Sequence, residues 1–280
     1  MQIEFNNVSL FLNHNTTLQK KVLNNINFEL QPGLKYTFYG NSNSGKTLIG
    51  ELINALIKPD KGYIKIGEFI NNGKKIKNIN ELRFLVGLVT KNADEMFFNK
   101  TVRKELEFGI KYFKYKVGNI YMRTIDALKI VGLDESYLNK KINDLTLSEI
   151  KKVQLASVIV YNPKILILDE PTIHLNFKEK KDLLRILNIL NTKYNKTIIL
   201  LSRDANFIYE FDSYIYVMDH GNIVLNGNND ILLNQEELFK YNLSVPDIVK
   251  FINTANKNNF KLKQYKDIKD LIKGVCNNVL

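Results

Sequence analysis

The sequence predicts an α/β fold built on a mainly parallel sheet, and two observations support this prediction. A short strand at 34–39 runs directly into a glycine-containing loop and then into a helix, whose apolar residues recur at helical spacing. Later in the chain, an apolar strand at 165–168, an amphipathic helix at 177–192 and a strand at 197–201 follow one another. A strand, a helix and a second strand in that order build a parallel sheet.

The other elements follow in chain order. Alternating apolar residues predict two strands before residue 30, and Pro32-Gly33 then turns the chain into the strand at 34–39. The helix after that strand keeps its apolar spacing as far as Ile57 and is expected to end at 59–62. Strands are predicted at 62–67 and 84–89, and apolar stripes at 101–113, 121–132 and 148–161 predict helices.

These patterns divide the chain into two predicted units. The first, at 1–235, contains a candidate helical subdomain at about 91–160 and ends in a hairpin-like pair of strands at 213–225. From about residue 236 the pattern turns helical and polar. We therefore expect 236–280 to be a C-terminal helical extension.

Composition excludes several classes of protein. The chain is 45% hydrophobic and 25% charged, which is typical of a folded core rather than a disordered chain. No window reaches the roughly 18 apolar residues of a membrane span, the start at 1–5 lacks the pattern of a secretory signal, and the single Cys276 supports no disulfide framework. These features predict a cytoplasmic protein. The net charge of +11 comes from 35 Lys and only five Arg, so we expect no nucleic-acid partner.

The loop at 40–47 matches the pattern Gly-x4-Gly-Lys-Ser/Thr, which binds phosphate groups. Its glycines let backbone amides point at phosphate oxygens, Lys46 reaches the β- and γ-phosphates, and Thr47 offers a hydroxyl to Mg²⁺. The alternative is a turn between strand and helix that binds nothing. The residues predicted to bind ATP here are Gly40, Asn41, Ser42, Asn43, Ser44, Gly45, Lys46, Thr47 and Leu48.

A second candidate motif follows the apolar strand at 165–168. Asp169 at the end of that strand is placed to hold Mg²⁺, and Glu170 beside it is placed to activate the attacking water. Two carboxylates after four aliphatic residues are also compatible with an ordinary strand end. The phosphate loop upstream favours the catalytic interpretation, in which Glu170 is the general base.

Together these motifs resemble the ATPase subunits of ABC transporters. The segment Leu168-Asp169-Glu170-Pro171-Thr172 is almost identical to the family's second nucleotide motif. More narrowly, the chain is similar to energy-coupling-factor (ECF) importer ATPases at 86–89, 98–102, 108–109, 242–246 and in a final helix from Asp267. The resemblance implies a P-loop NTPase fold of the ABC type, with an N-terminal antiparallel β portion, a helical subdomain and a helical C-terminal extension.

Several positions depart from that family's pattern. The glutamine that helps to coordinate Mg²⁺ aligns with Lys91, the switch histidine with Arg203 and the dimer-loop aspartate with Asn176. Lys91 is alternatively a solvated lysine, and Arg203 alternatively pairs with Asp204 or Glu210. The family's adenine-stacking aromatic falls near Phe11 or Leu12. The signature loop, which would contact ATP bound to a partner subunit, falls on Thr146, Leu147, Ser148 and Glu149 without either family glycine. An alternative register two residues later, at 147–151, restores a serine but breaks the spacing to Asp169.

The resemblance implies an ATPase subunit of an ECF-type importer at the cytoplasmic face of the membrane. Its implied cofactors are ATP and Mg²⁺. Its implied partners are a second ABC ATPase subunit, a transmembrane coupling subunit and a substrate-binding membrane subunit, which together take up vitamins or metal ions. Lys91, Arg203 and the altered signature keep a second hypothesis open, in which the chain binds nucleotide and scaffolds a heterodimer while its partner hydrolyses ATP. An ABC protein acting on DNA or ribosomes would need a coiled-coil insertion or tandem nucleotide domains, and the sequence has neither.

Overall fold

The computed structural model describes residues 1–13, 16–92, 97–112, 118–260, 262–263, 265, 270–273 and 275. The helix expected from Asp267 begins outside these ranges, although the described residues 270–273 are helical. Cys276 also lies outside the described ranges. No helix in the described part of the chain is both long enough and apolar enough to cross a bilayer.

The phosphate loop and the two acids both lie at the ends of strands in one six-stranded sheet. Its strand order is β10-β9-β3-β8-β7-β6, with parallel pairing throughout except between β9 and β10, which form the antiparallel hairpin. The parallel sheet predicted from the order of elements is confirmed. Its strands are β3 (Lys35–Tyr39), β6 (Val86–Val89), β7 (Ile165–Asp169), β8 (Thr197–Ser202), β9 (Tyr214–Asp219) and β10 (Asn222–Gly227).

A second, four-stranded antiparallel sheet is built mostly from the start of the chain. Its order is β2-β1-β4-β5, and register shifts interrupt the pairing of β1 with β2 at three places. The antiparallel pairing of its four strands bears out the implied N-terminal β portion. These strands are β1 (Ile3–Leu12), β2 (Lys20–Leu30), β4 (Lys61–Ile66) and β5 (Phe69–Asn71).

The described helices are mostly where their apolar spacing predicts them. Three of them, α3 to α5, fall within the candidate helical subdomain at about 91–160, and α6 has the predicted bounds. In chain order the helices are α1 (Lys46–Ile53), α2 (Ile79–Leu85), α3 (Val102–Tyr112), α4 (Ile120–Ile130), α5 (Leu147–Ile159), α6 (Phe177–Thr192), α7 (Ala205–Phe211), α8 (Gln235–Phe239) and α9 (Asp247–Lys257).

The six-stranded sheet separates two apolar clusters. Alternate residues of β7 face opposite sides, so that Ile167 packs with α1 and the antiparallel sheet, whereas Leu168 packs with α3, α5 and α6. Both faces of β7 are therefore covered, as is usual for a parallel sheet. Val245 and Val249 from the predicted extension belong to the same cluster as Leu168. The division of the chain near residue 235 stays a prediction.

Two predicted boundaries were wrong. Helix α1 ends at Ile53 rather than at the expected 59–62, because the Asn54 side chain donates a 2.7 Å hydrogen bond to the Val86 carbonyl and Ala55 takes a left-handed conformation with φ of 55°. The strand expected at 84–89 begins only at Val86, since the two residues before it complete α2. In the first case a contact between distant segments overrides the local apolar spacing.

Candidate functional site

The phosphate loop joins the end of β3 to the start of α1, and both of its glycines are required by its shape. A Cβ on Gly40 would lie 2.4 Å from the Met218 carbonyl oxygen. Gly45 has φ of +102°, a conformation that residues with a side chain rarely adopt. Because neither position accepts a side chain without a shift of backbone, the loop is built for a close backbone approach to a ligand.

Lys46 is buried within this loop, where its side chain is 5% exposed. Its ammonium donates hydrogen bonds to the carbonyl oxygens of Gly40 (2.7 Å) and Asn41 (2.8 Å), and it lies 4.0 Å from Glu170 Oε1. Burial lowers the pKa of Lys46, and the charge of Glu170 opposes that effect. The backbone of the loop therefore surrounds the Lys46 ammonium.

Thr47 and Asp169 come together at the edge where β3 and β7 end. The Thr47 hydroxyl donates a 2.9 Å hydrogen bond to Asp169 Oδ2. Among the described residues, the buried Asp169 Oδ1 has no hydrogen-bond partner. Burial raises the pKa of Asp169, and the Thr47 hydrogen bond and nearby lysine charges oppose that rise only in part.

A hydroxyl and a carboxylate are oxygen ligands of the kind that Mg²⁺ takes in nucleotide sites, where phosphates and water complete its shell. The orphaned Asp169 Oδ1 supplies a free lone pair for such an ion. Among the described residues no cluster of three or more His, Cys, Asp or Glu forms a dedicated metal cage. The residues present fit a Mg²⁺ ion that arrives with its nucleotide.

Glu170 is nearly buried and held from two sides. Its Oε1 faces Lys46, and its Oε2 accepts a 3.3 Å hydrogen bond from the Arg203 backbone N–H. Burial raises the pKa of this carboxyl, while the Lys46 charge opposes the rise. Its φ of 45° is uncommon for a residue with a side chain, and such strain is typical of positions that serve a function.

Arg203 reaches the phosphate loop rather than the acids next to it. Its Nη1 donates a 3.4 Å hydrogen bond to the Ser42 hydroxyl. Asp204 pairs instead with Lys180, and Glu210 with Lys181, each at 2.6 Å. The alternative in which Arg203 pairs with Asp204 or Glu210 is therefore wrong for this structure.

One cleft of about 650 Å³ collects most of the predicted nucleotide-binding residues. This volume suits a nucleotide-sized ligand. Of the alternatives Phe11 and Leu12, it is Leu12 that lines the cleft. The residues from the predicted set that line it are Ser42, Asn43, Ser44, Gly45, Lys46, Thr47, Leu48, Lys91, Glu170 and Arg203.

Five further lining residues had no signal in the sequence: Lys20, Lys21, Val22, Ile173 and His220. Three of them belong to β2, which meets the phosphate loop only because the two sheets dock. Gly221 makes that junction: its N–H donates to the Ser44 carbonyl (3.0 Å), and its carbonyl accepts from the Asn24 N–H (2.9 Å). Only the tertiary structure brings these segments together.

The signature segment lies at the start of α5 and does not line this cleft. Thr146 caps the helix, and the Glu149 carboxylate accepts hydrogen bonds from the Thr146 N–H (2.8 Å) and hydroxyl (2.9 Å). Leu147 between them is 57% exposed. Asn176 forms a second capping box, with Glu179, at the start of α6.

Helix α5 also holds the backbone at Lys91. Lys151 donates to the Lys91 carbonyl at 2.9 Å, and Gln154 donates to the Thr90 carbonyl at 2.8 Å. The same helix therefore begins at the signature segment and fixes the loop that places Lys91 in the cleft.

Comparison with known proteins agrees with this geometry. Residues 23–173 match the family described as "ABC transporter". An energy-coupling factor transporter ATP-binding protein EcfA2 of Clostridium perfringens is 31% identical over 94% of this chain and 93% of its own length. An EcfA2 of Staphylococcus epidermidis is 30% identical over 89% of this chain and 88% of its own. The solved structure of cbiO1 from Clostridium perfringens, described as part of the ABC transporter complex cbiONQ, has a TM-score of 0.73 at 26% identity, covering 90% of this chain and 98% of that one.

Proposed function

The chain belongs to the ABC transporter family, and from that premise we propose that it is the ATP-binding and ATP-hydrolysing subunit of an ECF-type importer. The relatives named above support the transporter class. The single observation that carries the catalytic part is the convergence of Lys46, Thr47, Asp169 and Glu170 at one end of the parallel sheet.

Each residue has a separate role in the proposed reaction. Lys46 exchanges its carbonyl partners for the β- and γ-phosphate oxygens of ATP, and the loop amides hold the same phosphates. Thr47 and Asp169 would hold Mg²⁺, which would neutralise charge on the phosphates. Glu170 accepts a proton from the water that attacks the γ-phosphate. The raised pKa of Glu170 makes it a stronger base than an ordinary exposed glutamate.

The partners follow from the family and from the signature segment. An exposed Leu147 beside a capped helix start, outside the chain's own cleft, suits contact with ATP bound to a second ABC ATPase subunit. In this proposal a transmembrane coupling subunit and a substrate-binding membrane subunit complete the importer. The chain then works as a peripheral subunit at the cytoplasmic face of the membrane, with vitamins or metal ions as the class of solute and no nucleic-acid partner.

A second candidate function rests on Arg203 and Lys91. Both place cations in the cleft, where the family pattern has a neutral histidine and a glutamine. Cations favour nucleotide binding, whereas an ammonium provides no metal ligand. In this alternative the subunit binds ATP and scaffolds a heterodimer, and the partner performs most of the hydrolysis.

Glu170→Gln in the assembled complex tests the two candidates. We expect a loss of about tenfold or more in ATP hydrolysis, equivalent to about 1.4 kcal/mol of barrier, if this site turns over. The matched control is the corresponding change in the partner subunit. Hydrolysis unchanged by Glu170→Gln but abolished by the partner's substitution would overturn the first candidate in favour of the second.

A further inference from the structure

Among the residues that the structure describes, five cations and one carboxylate line the nucleotide cleft. The cations are Lys20, Lys21, Lys46, Lys91 and Arg203, and the carboxylate is that of Glu170. Such an excess of positive charge favours the more negatively charged of two competing ligands. Metal-free ATP carries two more negative charges than its magnesium complex. The cleft as a whole therefore suits metal-free ATP better than a less cationic cleft would.

Lys91 is the cation whose position bears directly on the metal. Lys91 lines the cleft that Thr47 also lines, and its charge acts on Asp169 together with those of Lys46 and Lys151. These charges oppose the effect of burial, which raises the pKa of Asp169. An ammonium that stabilises the Asp169 carboxylate also repels a divalent cation that would bind there.

The backbone of Lys91 is fixed, so its ammonium has a limited range of positions. The two hydrogen bonds from α5, donated by Lys151 and Gln154, hold the carbonyl of Lys91 and of the residue before it. In the part of the chain that the structure describes, the Lys91 ammonium itself forms no hydrogen bond or ion pair. It is therefore available to the phosphates of a bound nucleotide.

We propose that Lys91 supplies, next to Asp169, part of the positive charge that Mg²⁺ would otherwise supply, so that this site binds metal-free ATP almost as tightly as its magnesium complex. The inference rests on the proposed function, since it assumes that the cleft binds ATP. It adds that Lys91 sets which form of the nucleotide the site prefers.

The test compares dissociation constants for ATP, measured by isothermal titration calorimetry on the full chain in EDTA and in saturating Mg²⁺. We define the metal ratio as the constant in EDTA divided by the constant in Mg²⁺. For the unaltered chain we expect a ratio below about three. For Lys91→Gln we expect the ratio to rise about fivefold or more, because the neutral amide no longer repels the ion and offers it an oxygen.

Two further variants test whether the metal ratio depends on a positive charge at position 91 or on the total charge of the cleft. Lys91→Arg keeps a cation without adding an oxygen acceptor, so its metal ratio should stay low. Lys20→Gln is the comparison variant: it removes the same charge from another wall of the same cleft without placing an oxygen beside Asp169, so it should raise the ratio clearly less than Lys91→Gln does, by about twofold at most. A circular dichroism spectrum for each variant confirms that it is folded.

The outcomes are distinct. An equal metal ratio in the unaltered chain and in Lys91→Gln overturns the inference, as does an equal effect of Lys20→Gln and Lys91→Gln. Binding of ATP with those results leaves the proposed function standing. Failure of the unaltered chain to bind ATP in either buffer overturns the proposed function itself.

Discussion

The Thr47 hydroxyl donates a hydrogen bond of 2.9 Å to Asp169 Oδ2, although the two residues are 122 positions apart in the sequence. The contact exists because β3 and β7 are parallel and both flank β8, so that their carboxyl ends reach the same edge of the sheet. A ligand at this edge meets the phosphate loop and the two acids together.

Gly40→Ala should strongly weaken nucleotide binding. The added methyl group would lie 2.4 Å from the Met218 carbonyl oxygen, so the backbone of the phosphate loop must shift. We expect affinity for ATP to fall by about 100-fold, measured by calorimetry. Gly118→Ala is the matched control, because a Cβ there has no atom within 4 Å, and it should leave affinity unchanged. Normal binding by Gly40→Ala would contradict the role assigned to the loop.

Asp169→Asn should stabilise the nucleotide-free protein while weakening its use of Mg²⁺. Burial raises the pKa of Asp169, so the folded state disfavours the carboxylate, and that cost is present above the raised pKa and vanishes as the pH falls below the unfolded value. We expect the midpoint of thermal unfolding at neutral pH in EDTA to rise by roughly 2 °C or more. A scan at a pH below about 3, where Asp is protonated in both states, should show a smaller difference. A lower midpoint at neutral pH would show that the carboxylate supports the fold.

Thr146→Ala should cost about 1 kcal/mol of unfolding free energy, because it removes the cap of α5 and leaves the Glu149 carboxylate without its hydroxyl partner. Urea unfolding measures the loss. Thr146→Ser should restore most of it, since the hydroxyl is kept. The control is Thr254→Ala, whose hydroxyl only bonds back to the Lys250 carbonyl within α9 and should cost less. Equal losses at the two positions would argue against a capping role.

The rate of ATP hydrolysis at this site should fall in acid at a higher pH than an exposed glutamate would give. Burial raises the pKa of Glu170 above its usual 4.5, and the general base works only when ionised. The measurement is the turnover rate at saturating ATP across pH in a complex whose other site is inactivated. Hydrolysis that stays constant down to pH 4.5 would exclude Glu170 as the base.

The sequence alone was sufficient for the parts of the fold that depend on local patterns. The loop at 40–47, the acids at the end of β7 and the bounds of α6 could all be predicted, because each is set by residues adjacent in the chain. The end of α1 could not, since the Asn54 side chain bonds to Val86 in a distant segment. The contact of Arg203 with Ser42 was missed for the same reason, and so was the wall of the cleft formed by β2.

The junction at Gly221 has a consequence for how this protein tolerates change in length. Its N–H and carbonyl connect the turn between β9 and β10 to both the phosphate loop and β2. Most hairpin turns accept extra residues at little cost because they face solvent. An insertion at this turn would instead displace the Ser44 backbone, so natural or engineered length variation is expected elsewhere on the surface, and a tag or fused peptide placed here would disable the site from a position remote in sequence.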